Sequence, residues 1–172
     1  MKVDFEKIGI ISSYFAENVN NLYVTKLLKL FYYVDFISYN RRGSSVTGDI
    51  YFKLPYGPVP TTIKNEIDLL INSDLEGKYK SQLSKFINLK KDKDEFGRRV
   101  INNSKNCEIN KLAPFERNLI KSISTEFKQT KASVISEKTH REKPWQLTSN
   151  NSVIDYSLAN SLNIENILPN FK

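Results

Sequence analysis

Hydrophobic positions along the 172-residue chain change period from one block to the next. Phe5, Ile8, Ile11 and Phe15 recur at helical spacing and predict a first amphipathic helix over Phe5 to Glu17. From Thr25 the pattern changes. Leu27, Leu28, Leu30, Phe31, Val34, Phe36 and Ile37 leave no wide polar face, although Lys29 and Asp35 interrupt the run. A helix that is apolar nearly all round belongs in the middle of a packed domain. Asn20 or Asn21 is the expected N-cap. Gly43 is placed to end the helix in a left-handed cap, and Arg41 and Arg42 in the last turn suit the negative end of its dipole.

Between Ser44 and Leu54 the period becomes two, with Val46, Ile50, Phe52 and Leu54 on one face and Tyr51 and Lys53 on the other. Thr47-Gly48-Asp49 sits where the chain can reverse, so a small antiparallel hairpin is expected there. Pro55, Pro58 and Pro60 bracket Tyr56-Gly57 and predict a rigid corner without regular structure. Thr61 or Thr62 then caps a third helix that buries Ile63, Ile67, Leu70 and Ile71, and Asn72-Ser73-Asp74 ends it. The section from Asp74 to Lys111 is the least legible. Leu83, Phe86, Ile87 and Leu89 fit a short helix or a strand, and Phe96 to Ile101 fits a strand pairing with the hairpin.

Pro114 at a first helical position, followed by Phe115, Leu119, Ile120, Ile123 and Phe127, predicts a helix to about Gln129. A shorter helix, Ala132 to Thr139, is expected with Thr130 as its cap and Val134 and Ile135 as its docking residues. Ile154, Tyr156, Leu158, Leu162 and Ile164 suggest a last element packing back onto the rest. The pattern as a whole predicts a mainly α fold with a small antiparallel β element (α+β), built around a buried central helix. One domain over residues 1–172 is expected, with its core at about 5–160 and a C-terminal tail at 161–172.

Composition narrows the function classes. A net charge of +7 and a pI near 9.3 favour acidic partners, nucleic acid or protein, but the basic residues form no block, and Lys90 to Glu95 is mixed in sign. One cysteine, Cys107, excludes an internal disulfide and a thiolate metal cluster. The N-terminus MKVDFEKIG lacks the apolar core of a signal peptide, and no apolar run approaches a membrane span. A cytoplasmic protein without membrane contact is the expectation.

Enzyme templates fail on inventory. The sole Cys-His pair would be Cys107 with His140, and HExxH, phosphate-loop and metal-ligand spacings are absent. No catalytic residue, metal or cofactor is predicted. Tyr32, Tyr33, Tyr39, Tyr51 and Tyr56 beside Arg41 and Arg42 could stack on nucleic acid, but at helical spacing such residues fit a core or a protein interface better. His140, following a helix, suits its last carbonyls and its dipole, and Trp145 after Pro144 reads as an anchor for the tail.

The run from Lys26 to Phe36, then Thr47-Gly48-Asp49-Ile50-Tyr51, then Tyr56-Gly57-Pro58-Val59-Pro60, resembles the Panacea domain, the SocA-like antitoxin domain that includes phage-associated GepA-type proteins. Thr139-His140 through Trp145 is similar to the family's Ser-His-…-Trp segment, with threonine in place of serine, and Ile154-Asp155-Tyr156 to its closing Ile-Asp-Tyr. Leu27, Leu28, Tyr32, Asp35, Gly48, Gly57, Pro58, His140 and Trp145 carry the motif. The resemblance implies a mainly helical antitoxin that neutralises a toxin encoded beside it by direct binding. Some relatives deliver the toxin to a protease. The surface expected to meet the toxin runs from Tyr39, Arg41 and Arg42 across Thr47, Asp49 and Tyr51 to Tyr56. A nucleic-acid-binding regulator is the alternative that the basic charge suggests.

Overall fold

Every residue from Lys26 to Ser38 is buried, within one 19-residue helix, and the other elements pack around that segment. The computed structural model describes residues 3–72, 80–91, 97–103 and 108–171. The helices are α1 (Phe5–Asn18), α2 (Val24–Arg42), α3 (Thr61–Ile71), α4 (Pro114–Glu126), α5 (Ala132–His140), α6 (Lys143–Leu147) and α7 (Ile164–Ile167). The strands are β1 (Tyr51–Leu54), β2 (Gly57–Pro60), β3 (Ile87–Lys91) and β4 (Arg98–Asn102). The fold is mainly α, as the periodicity predicts, and its β structure is two antiparallel two-stranded sheets, β1–β2 and β3–β4.

Helix α2 is the axis. Gly43 caps it at φ 70°, donating its N–H to the Tyr39 carbonyl at 2.8 Å, and Arg41 and Arg42 occupy the last turn. Its start differs from the expectation. Tyr23 is the N-cap and its side chain does not cap the helix, because Asn20 and Asn21 form the preceding turn. Asn21 adopts φ 47°, and the Asn20 carbonyl accepts from the Lys26 ammonium at 2.9 Å. That bond holds a buried lysine at the helix start, and desolvation of its charge lowers its pKa to about 8.

Helix α1 is capped by Asp4, whose carboxylate accepts from the Lys7 N–H at 3.0 Å. Its Ile8, Ile11 and Phe15 face the core, where Phe15 meets Phe31 edge-on at 6.2 Å. Lys7 reaches Glu116 of α4 at 2.8 Å, and Phe127, just past α4, stacks on Tyr33 of α2 at 5.1 Å. In α3, Ile63 and Ile67 are buried and Leu70 and Ile71 half-buried. Pro114 opens α4, and Leu119, Ile120 and Ile123 are buried. Helix α5 starts after Lys131, with no cap from Thr130, and only Ile135 docks; Val134 is exposed.

The middle of the chain resolves the helix-or-strand ambiguity as both. Gln82–Lys85 form a 3-10 turn and Ile87–Lys91 a strand. That strand pairs with β4, Leu89 opposite Val100, so the second strand joins β3 and not the first hairpin. Phe96, Ser73, Asp74 and Cys107 lie outside the described residues. At the C-terminus, Leu162, Ile164, Ile167, Leu168 and Phe171 are buried, so the segment expected to trail as a tail completes the core.

Gly9 is the tightest joint between α1 and this middle section. A Cβ there would stand 2.1 Å from the Phe86 ring. Gly9→Ala is therefore expected to lower stability by about 1–3 kcal/mol through overpacking, despite alanine's better helix propensity. Urea denaturation measures this; a gain in stability would show that the ring moves aside without cost.

Candidate functional site

Asp35 lies in the middle of α2 with no exposed surface. A carboxylate there has lost its hydration, and burial pushes its pKa up from 3.8 to about 6. Four donors from the chain that follows α2 oppose that shift. The Val46 and Thr47 N–H groups each donate at 2.8 Å, the Thr47 hydroxyl at 2.5 Å and the Tyr51 hydroxyl at 2.7 Å. Residues 46–51 are thus wrapped round one anion and held against the central helix.

This wrapping explains why the hairpin forms later than expected. Thr47-Gly48-Asp49 is no hairpin turn; its polar groups serve Asp35 and α3. Asp49 accepts from the Thr62 and Ile63 N–H groups at 2.9 and 2.8 Å and so caps α3 from a distance, in place of Thr61 or Thr62. The hairpin is β1–β2, closing through Pro55-Tyr56, with Leu54 opposite Gly57 and Phe52 opposite Val59. Pro58 and Pro60 fall at alternate positions that need not donate to β1, which lets a strand form where a corner is predicted.

The buried face is also reversed. Tyr51 and Lys53 point inward, while Ile50 is exposed and Phe52 and Leu54 are half-buried. Tyr51 is core because its hydroxyl has Asp35 as a partner, and its ring meets Tyr32, Phe36 and Tyr156. The free side of β1 is closed by residues 151–154, through Lys53 N–H to Ser152 O at 2.9 Å and Ile154 N–H to Tyr51 O at 2.8 Å. Tyr156 follows, donating to the Asp49 carbonyl at 2.8 Å and stacking on Tyr39 at 5.2 Å.

A second polar cluster joins the Gly-Pro corner to α5 and α6. The Lys29 ammonium donates to the Pro58 carbonyl at 2.8 Å, and burial lowers its pKa to about 7. Gly57, at φ 102°, leaves room for this: a Cβ there would stand 2.8 Å from Lys29 Cε and 2.9 Å from the Thr139 hydroxyl. His140 stacks on Trp145 at 4.4 Å, and the Lys53 ammonium lies 4.0 Å from the centre of the Trp145 ring. Desolvation, with Lys29 nearby, lowers the His140 pKa. Glu142 sits beside Tyr33, and burial raises its carboxyl to about 7. The Tyr32 hydroxyl, His140 Nε2 and Trp145 Nε1 are buried without a hydrogen-bond partner among the described residues.

These placements divide the residues expected to meet a partner. Thr47, Asp49 and Tyr51 are buried, with their polar atoms engaged inside the molecule, and offer no side chain at the surface. Arg41 and Arg42 are exposed, Arg42 with its guanidinium 5.0 Å from the Phe115 ring, and Tyr39 is half-buried. Tyr56 is 79% exposed. The Gly57–Pro58 corner packs near Lys29, thirteen residues before Arg42, so the exposed Tyr56 and the basic helix end are about 20 Å apart along α2 at 1.5 Å per residue. Sequence reasoning missed Lys53, Leu147 and Val153. The inward lysine shows only once the strand face is fixed, and the two apolar residues stand among Thr, Ser and Asn residues with no period to mark them. A pairing of Cys107 with His140 lies outside the described residues, and no cluster of metal-ligating side chains occurs among the described ones.

Asp35→Asn presents an amide donor to four donors and is expected to cost about 2–4 kcal/mol at pH 7, read from denaturant unfolding. Because the folded state raises this pKa, it holds the proton more tightly than the unfolded chain does. The contribution of Asp35 is therefore fully present below about pH 4 and falls as pH rises to about 6. Subtracting the variant's stability profile from that of the wild type should show this decline; a flat difference would contradict it. Trp145→Ala is expected to cost about 2–4 kcal/mol, since the half-buried ring carries both the His140 stack and the Lys53 contact. A loss under half a kcal/mol would mean that the ring anchors nothing.

No curated protein and no solved structure matches the chain. The family model described as antitoxin SocA-like, Panacea domain, matches residues 27–146. That span holds Asp35, the loop it organises, the Gly-Pro corner and the His140–Trp145 pair, and it covers more than half of the sequence. The chain belongs to the SocA-like, Panacea-domain antitoxin family.

Proposed function

We propose that this protein is the antitoxin of a toxin–antitoxin pair and neutralises a toxin encoded beside it by direct protein–protein binding in the cytoplasm. Membership of the antitoxin family carries this reading. The site geometry supports it. The side chains of Asp35, Thr47, Tyr51 and Lys29 and the bare backbone of Gly57 are engaged in holding the scaffold, and the exposed residues around them are of the kind that recognise a protein. Arg41, Arg42 and Tyr56 are the sequence-predicted contact residues that remain at the surface. A binding protein of this kind needs a rigid platform and no reacting groups. An interface of standard size, ~1,600 Å² in total, would use only part of its surface.

Expression of the adjacent reading frame alone should arrest growth, and co-expression with this chain should relieve the arrest and yield a complex that co-purifies. Arrest that co-expression never relieves would contradict the reading.

A further inference from the structure

The large exposed hydrophobic side chains are not scattered evenly. Tyr56, Leu147 and Val153 are 79%, 64% and 50% exposed. Each is within two residues of the wall of one pocket of about 270 Å³, lined by Lys53, Leu54, Pro55, Trp145, Asn150 and Asn151. Ile50, 53% exposed, precedes the same strand, and Val153 pairs with the outward Phe52. In a ladder, directly opposed residues share a face, so Phe52 and Val153 belong to one outward apolar surface beside the pocket.

The pocket wall contains a cation. Lys53 is more than nine-tenths buried, and its ammonium donates to the Thr148 carbonyl at 2.8 Å and faces the Trp145 ring at 4.0 Å. No carboxylate lies within ion-pairing distance of it among the described residues, whereas Lys7, Lys64 and Lys111 all have one. A carbonyl and a ring face leave this charge less well compensated than a carboxylate would. Trp145, in the same wall, also has an indole N–H without a partner among the described residues.

Resting on the antitoxin reading, we propose that this pocket and its rim are where the toxin is captured, with an acidic side chain of the toxin on Lys53 and apolar side chains on Tyr56, Leu147 and Val153. Charge complementarity selects this occupant. A second copy of the chain would bring +7 to a pocket that already holds a cation, while an acidic residue among apolar ones answers both features. A central aromatic and cationic anchor within an apolar rim is also the arrangement in which binding energy concentrates.

The test uses the full chain and the product of the adjacent reading frame, purified in an inactivated form, with affinity read by calorimetry. Leu147→Glu combined with Val153→Glu changes only exposed positions. It should weaken binding by roughly a hundredfold and abolish relief of growth arrest, with an unchanged thermal midpoint. Lys53→Met should weaken binding roughly tenfold or more while keeping the buried stem. If the wild-type chain binds and the rim variant binds equally well, the proposed surface is wrong although the antitoxin reading stands. If the wild-type chain neither binds nor relieves arrest, the antitoxin reading itself falls. A wild-type dimer dissolved by the rim variant, or duplex-DNA binding lost with Lys53→Met, would replace the toxin as occupant and overturn the proposal.

Discussion

A carboxylate with no water around it governs this structure. Asp35 sits on the buried helix, where an ion is costly unless donors surround it. The donors come from residues 46, 47 and 51, so the chain after α2 folds back over the helix. Once Thr47 and Tyr51 are bound, Asp49 is held at the start of α3 and caps it, while β1 is aligned to pair with β2 on one side and residues 151–154 on the other. One anion therefore sets the positions of a helix, a hairpin and the C-terminal segment.

Lysines act as the counterpart at the backbone. Lys26, Lys29 and Lys53 each run an apolar stem through the interior and end on a carbonyl, at Asn20, Pro58 and Thr148. The first pins the turn before α2, the second the Gly-Pro corner, and the third the loop after α6. Desolvation draws Lys26 and Lys29 toward the neutral form, which reduces the cost of burying them. The rigidity that results leaves Tyr56, Leu147 and Val153 displayed on a fixed frame, the condition for a binding surface that loses little entropy on association.

Helices α1 to α5 were legible because burial follows apolar spacing: Ile8, Ile11 and Phe15 in α1, and Leu119, Ile120 and Ile123 in α4, sit where the period places them. Gly43 was legible as well, since few other residues end a helix in a left-handed turn. Polar residues with distant partners were not. Tyr51 and Lys53 read as a surface face, yet their polar ends meet Asp35 and the Thr148 carbonyl, neither of them near in sequence. Cap rules look only at adjacent residues, so Asp49 could not be recognised as the cap of α3, twelve positions before the helix begins. The family motif was legible as a pattern, but its inward or outward parts separate only when the face of β1 is known.

The proposed toxin-capture surface is the one displayed by the Asp35-organised scaffold around the Lys53–Trp145 pocket. Hydrogen–deuterium exchange of the full chain, free and bound to the inactivated product of the adjacent reading frame, tests it most directly. New protection is expected to concentrate in residues 50–56 and 145–153, with little change at the C-terminal end of α2. Protection centred on residues 39–44 with none at the pocket would contradict it.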